Sequence, residues 1–300
     1  MVIGIHTFPQ NKSLIYVIVR EMLNFAVPLF LVISGIFATK SYKKSCNYLS
    51  YLKKQIPKVY IPTLIWSLPW FLIATLTDTN SINNILNLLL CGYSIFYFVV
   101  LIIQMYLLLP VYQNIKLWGV VTSSIITTIS VMLLTYVIPT NLPLTIYVGP
   151  CVYWLLFFAI GAYYSDKHRD YSLLMPSLII LIGFITQILE HDYLISLGRN
   201  GIGIKLSSWF YSTGAVLLLI SEKIEKSYAR NKVNTYIKTI GDNSFGIYLT
   251  HMLVLIVVGR FLPNVWSLKW IITLVVTFFF IIITKRIFPL LSNKYLGFKQ

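Results

Sequence analysis

Two histidines stand where ordinary packing residues would be expected. His6 follows five residues of MVIGIHTFP and precedes Pro9 by three positions, and His251 lies inside the apolar run NSFGIYLTHMLVL. An imidazole titrates near neutral pH and can take the proton of a hydroxyl that attacks an activated carbonyl. A histidine that marks the interfacial end of a helix has the same sequence surroundings, so position alone leaves both readings open for His6. Around His251 the pattern is fuller: Ser244, Tyr248 and His251 fall at i, i+4 and i+7, on one helix face. A polar stripe on an apolar helix faces a bundle interior, either as a site or as interhelical hydrogen bonding.

Three further groups could carry chemistry. Glu21 and Asn24 open the apolar run that contains VPLFLVISGIFATK, where Pro28, Ser34 and Gly35 permit a kink and a close backbone approach. Glu190, His191 and Asp192 are adjacent, as a solvated loop or an acid-base cluster would be. Lys54 and Lys58 precede IPTLIW and suit a phosphorylated ligand or an anionic lipid surface. Cys46, Cys91 and Cys151 are odd in number and widely spaced, which supports neither a disulfide framework nor a metal site. No Gly-rich phosphate loop, HExxH or GxSxG is present.

The elements that must position these residues are membrane helices. Of 300 residues 57% are hydrophobic and 11% charged, with a mean hydropathy of +0.77, and apolar runs near 20 residues can satisfy their backbone in hydrocarbon only as helices. The expected fold is all-α, a polytopic helix bundle forming a single domain over 1–300. Nine complete spans are expected at 21–39, 59–77, 95–112, 117–138, 147–164, 172–189, 204–221, 242–262 and 267–287, with a partial tenth at 1–9. A surface-lying amphipathic helix is expected before residue 59, with Leu49, Leu52 and Ile56 beside Lys53 and Lys54. The apolar patch INNILNLLLCG between the second and third spans either lies in the interface or re-enters the membrane.

Charge orients this map. Eighteen of the 24 Lys and Arg fall in loops on one side, and Lys12, Arg20, Arg199, Lys205, Arg260 and Lys269 fall on the other. Short cytoplasmic loops are enriched in such residues, so both termini are expected in the cytoplasm of a multi-pass protein of the bacterial cytoplasmic membrane. His6 is then near the external end of its helix, at the level of Glu21 and Asn24, and His251 lies deeper. The net charge of +15 is explained by topology and not by nucleic-acid binding, which would need a basic soluble face.

Taken in order, the first-helix histidine, VPLFLVISG, KKQIPKVYIPTLIW, FYFVVLIIQMYLLLP and IGDNSFGIYLTHMLVL resemble the membrane acyltransferase 3 family over nearly the whole chain. The resemblance implies transfer of acetyl or another small acyl group from cytoplasmic acyl-CoA to a hydroxyl of a cell-surface polysaccharide or lipid-linked glycan, within membrane lipid and with no tightly bound cofactor or metal. It implies that His6 is the base and that Lys54 and Lys58 hold CoA phosphates; Glu21, by its position at the level of His6, is expected to orient the imidazole. Ser34, Ser244, Tyr248 and His251 line the substrate site, with Ser244 or Tyr248 as oxyanion donor. Two departures stand out. The family's pair of arginines three residues apart is replaced by Gln55 and Lys58. A basic residue about three turns before the histidine is absent, and five residues before His6 provide about a quarter of a spanning helix, so a longer start is expected. A polysaccharide exporter without acyl transfer is the competing reading.

Overall fold

The computed structural model describes residues 1–7, 14–77, 80–138, 142, 147–229, 233–262 and 265–298. Pro9, Lys12, Arg230, Lys232 and Lys299, which took part in the expectations above, lie outside the described residues. The helices, in chain order, are α1 (Val2–Thr7), α2 (Leu14–Met22), α3 (Ala26–Lys43), α4 (Tyr48–Thr77), α5 (Ser81–Leu89), α6 (Tyr97–Leu107), α7 (Leu109–Tyr112), α8 (Leu117–Tyr136), α9 (Leu155–Tyr163), α10 (Leu174–Ser196), α11 (Leu206–Ile220), α12 (Glu222–Ala229), α13 (Val233–Asp242), α14 (Ser244–Phe261), α15 (Trp266–Ile287) and α16 (Pro289–Lys294). Among the described residues there is no strand. The protein is an all-α membrane bundle, as its composition requires. Among the described residues, six stretches are long and apolar enough to cross a membrane: Leu14–Lys43, Tyr48–Thr77, Leu117–Tyr136, Leu174–Ser196, Ser244–Phe261 and Trp266–Ile287. Tyr97–Leu107 and Leu206–Ile220 are shorter apolar helices.

The chain divides into two compact units. The first is built from Met1–Gln10, Leu52–Ile103 and Lys232–Gln300, and the second from Asn11–Tyr51 and Gln104–Asn231. In the first unit, Ile3 of α1, Ile247 of α14, Ile281 of α15 and Phe298 form one buried cluster, and Cys91, Ile95, Phe96 and Val99 pack with Tyr248 and Leu249 in another. In the second unit, α3 and α9 come together at glycines. A Cβ on Gly35 would meet the Phe158 carbonyl oxygen at 2.5 Å, and one on Gly161 would meet the Val32 carbonyl oxygen at 2.1 Å. The close backbone approach expected at Ser34 and Gly35 is thus present, with Gly161 as its partner. Helices α10 and α11 meet in the same way at Gly183 and Gly214.

Two differences from the expected map concern continuity. The proposed surface helix before residue 59 is no separate element: α4 runs unbroken from Tyr48 through Pro57, Pro62 and Pro69 to Thr77. The span expected at 95–112 is divided at Leu108 into α6 and α7, and a turn precedes it. Helix α5 starts at the Asn80 cap and ends at Leu89, and the chain then turns through Cys91 and Ser94, both with positive φ (50° and 53°), before α6 begins at Tyr97. Cys91 and Phe96 in the turn are fully covered, whereas Ile82, Ile85, Leu86, Leu89 and Leu90 of INNILNLLLCG are exposed, so that segment reaches the core of its unit only through Asn84 and Cys91.

Backbone freed at such a break must find other partners, because hydrocarbon supplies none. Three tyrosines provide them: Tyr60 Oη donates to the Leu89 carbonyl oxygen at 2.8 Å, Tyr93 Oη to that of Asn84 at 3.0 Å, and Tyr248 Oη to that of Ile95 at 2.6 Å. A second break separates α2 from α3 at Leu23 to Phe25. There Gln187 Nε2 donates to the Glu21 carbonyl oxygen at 3.3 Å and Tyr211 Oη to that of Met22 at 3.0 Å.

Candidate active site

Helix α1 seats His6 through its small and apolar residues. Ile3, Gly4 and Thr7 are buried, and Thr7 Oγ1 closes back on the Gly4 carbonyl oxygen at 2.9 Å. Helix α14 accepts this packing because Gly246 leaves room for Phe298, whose ring a Cβ would meet at 2.7 Å. Ile3 and Ile247 share a cluster, and one turn further along both helices the rings of His6 and His251 face each other with centroids 5.8 Å apart and planes tilted by 38°. Charge and hydropathy had put His6 nearer the outside than His251, and the packing of α1 along α14 makes their rings neighbours.

His251 is fully buried, and its Nδ1 lies 2.9 Å from the Ile247 carbonyl oxygen. A carbonyl oxygen only accepts, so Nδ1 carries the hydrogen and Nε2 presents its lone pair. That Nε2 is buried and has no hydrogen-bond partner among the described residues.

The polar stripe on α14 serves several tasks. Tyr248 is buried with its ring beside Phe96, Phe98, Phe245 and His251, and its hydroxyl is given to Ile95. Ser244 opens α14 after the buried cap residue Asn243, whose Oδ1 accepts from Lys285 Nζ at 3.2 Å. Lys54 and Lys58 lie one turn apart on α4, both exposed. A groove beside Lys58 is lined by Pro57, Ile61, Leu290, Asn293 and Lys294. Lys294 was not among the expected phosphate-binding residues, because it is far from Lys58 along the chain and only the fold brings the two lysines to one groove. Among the described residues no group of three or more His, Cys, Asp or Glu could hold a metal ion.

Glu21, expected to orient His6, belongs to the second unit and has partners there. It is fully buried, with Oε1 3.0 Å from Lys205 Nζ, itself 1% exposed, and with Oε2 accepting from Asn24 Nδ2 at 2.8 Å. Lys205 Nζ also donates to the Gly201 carbonyl oxygen at 2.7 Å, and Arg20 donates to Asn24 Oδ1 at 2.9 Å. Nearby in sequence, Glu190 accepts from Tyr136 Oη at 2.7 Å and from the amide of Ser207 at 2.8 Å, as well as from the Ser207 hydroxyl. Glu190 and His191 are thus ordered parts of the unit and not a solvated loop. Ser34 is half-buried on α3, next to the Gly35 contact.

Comparison with known proteins bears on this arrangement. A family model described as an acyltransferase domain, of the acyltransferase 3 type, matches residues 1–286. A protein of Staphylococcus aureus (strain MRSA252), named as a probable poly-beta-1,6-N-acetyl-D-glucosamine export protein, is 26% identical over 258 residues, covering 79% of this chain and 71% of that protein. No solved structure matches. With a family model spanning nearly its whole length and a helical bundle of membrane character around two facing histidines, the chain belongs to the acyltransferase 3 family of integral membrane acyltransferases.

Proposed function

We propose that the protein transfers a small acyl group from acyl-CoA to a hydroxyl of a cell-surface carbohydrate, with His6 as the base. The observation that carries this reading is the placement of His6 against the buried His251 in one compact unit of an acyltransferase chain. Acyl-CoA approaches from the cytoplasmic side of the bacterial membrane, where the lysine-rich loops and both termini lie. Its phosphates meet Lys54, Lys58 and Lys294. Lysine binds phosphate as a point charge and not as a bidentate fork, so the cations act by number and proximity. The acceptor hydroxyl comes from the outside and loses its proton to His6 as its oxygen attacks the thioester carbonyl carbon. Positioned base catalysis of this kind contributes about 10² to 10⁴-fold.

The test is transfer of labelled acetyl or succinyl groups from their CoA esters to surface polysaccharide, in membranes carrying the full-length protein or its His6→Ala variant. Base-labile label on the polysaccharide that disappears with His6→Ala is the expected result, and label undiminished in the variant would remove His6 from the role of base. The name of the staphylococcal relative favours a second reading, glycan export. That reading requires glycan to appear outside independently of CoA and of His6, and the same membranes report on it.

A further inference from the structure

The Nε2 atom of His251 is an acceptor buried where no donor among the described residues reaches it. Such a group costs free energy as long as it is unmet, and several polar side chains of the helices in the same unit already have other partners. Tyr248 Oη is held by Ile95, and the hydroxyls of Thr7, Thr250 and Thr277 each close on a carbonyl of their own helix at 2.9, 2.9 and 2.6 Å. The ring of His6, with centroids 5.8 Å apart, is the ionisable group that faces it. A small rotation of either imidazole about its soft terminal torsion brings nitrogen to nitrogen, and a single hydroxyl held between the rings bridges them as they stand.

We propose that His251 is a positioning residue for the base: its Nε2 accepts the N–H of His6, fixes the His6 tautomer, and takes a share of the positive charge when His6 is protonated. The Nδ1 bond to the Ile247 carbonyl is what keeps Nε2 free of hydrogen and able to accept. The proposal rests on the acyl-transfer reading above. In the step it supports, a bond forms between the acceptor oxygen and the thioester carbonyl carbon and the C–S bond breaks. The hydroxyl proton passes to the outward nitrogen of His6 and from there to the departing thiolate of CoA. No redox partner is needed, and His251 keeps its own proton throughout.

The experiment is steady-state acyl transfer from acetyl-CoA or succinyl-CoA in membranes carrying the full-length protein, with H251L, H251N, H251Q, H6A and H6A/H251L at matched protein levels. A hydrogen bond to a charged group corresponds to about a tenfold to hundredfold effect, so H251L is expected to lose about that factor in kcat with KM for acyl-CoA held within about twofold. Glutamine offers a carbonyl oxygen at comparable reach, and H251Q is expected to regain most of the loss. In the H6A background H251L is expected to add nothing. If H251L fails to accumulate, H251Q is compared with the shorter H251N, and only a clear advantage of glutamine supports the role. Unchanged kcat in H251L, glutamine no better than its comparator, or an undiminished effect in the H6A background each overturns it. Inactive wild-type membranes, or an H6A variant that transfers normally, overturn the acyl-transfer reading and this inference together. An active wild type with a silent H6A and a normal H251L overturns this inference alone.

Discussion

A carboxylate buried in a membrane protein must be matched by an opposite charge, and Glu21 shows how completely. Oε2 accepts a hydrogen bond from Asn24, Oε1 lies 3.0 Å from the Lys205 ammonium as an ion pair without hydrogen-bond geometry, and neither member of the pair is more than 1% exposed. Removing one partner of such a pair leaves an uncompensated charge and costs about 3–5 kcal/mol, whereas replacing both by apolar groups is often close to neutral. Glu21→Leu and Lys205→Met alone should therefore each lower the thermal unfolding midpoint sharply in detergent, and the double variant should recover most of the loss. The contact between Lys43 and Asp166 is of the opposite kind, with side chains 42% and 52% exposed. The Lys43 ammonium holds the Asp166 carboxyl below the usual carboxylate range. Its contribution is present above the ordinary aspartate value of about 3.9 and is lost as pH falls through the depressed folded value. Lys43→Ala should cost less than about 1 kcal/mol at neutral pH, and melting curves of the two proteins should converge in acid. Of the Glu21 site, the sequence showed only half. An acid at the start of an apolar run announced itself as expensive, but Lys205 read as a loop cation, and nothing along the chain links the two.

At the scale of elements, hydropathy located most of the apolar spans but was blind to breaks within them. The runs at 117–138, 242–262 and 267–287 correspond closely to α8, α14 and α15, because an uninterrupted apolar composition has one solution in lipid, whereas α10 runs seven residues past the end expected at 189. The runs at 21–39 and 95–112 did not reveal their discontinuities. Whether a helix can stop inside the core depends on which distant side chains reach the freed carbonyls, and Tyr60, Tyr248, Gln187 and Tyr211 are remote in sequence from the backbone they serve. The turn between α5 and α6 tests this account directly. Tyr248→Phe removes the donor to Ile95 while preserving the ring contacts, and an unpaired buried carbonyl should cost about 1–3 kcal/mol in a thermal or chemical melt. At Ser94, whose φ is 53°, glycine should stabilise by up to about 1 kcal/mol by relieving a left-handed conformation, and valine should destabilise. If glycine and valine behaved alike there, the left-handed turn would not be the conformation in the membrane.

The whole molecule is a set of helices whose orientation is encoded in its loops and not in its packing. The alternation of apolar runs is expected to put eighteen of 24 cations on one side, a bias of the kind that sets topology when loops are short, and the lysines proposed to meet CoA belong to that set. The natural cysteines can read this orientation without added tags. Cys46 is free and exposed in the turn between α3 and α4, on the side expected to be cytoplasmic, while Cys91 is buried in the break after α5. A thiolate attacks only where reagent reaches it. A membrane-impermeant maleimide applied to intact cells should therefore leave Cys46 unlabelled, and the same reagent applied to inverted vesicles should label it, with Cys91 silent in both until the protein is denatured. The Cys46→Ser variant separates this signal from that of Cys151, which is half-exposed. Labelling of Cys46 in intact cells would turn the map over, moving Lys54, Lys58 and Lys294 to the outside and away from any cytoplasmic acyl-CoA. It would leave the facing histidines untouched, because the pairing of α1 with α14 is a matter of packing within one unit and holds in either orientation.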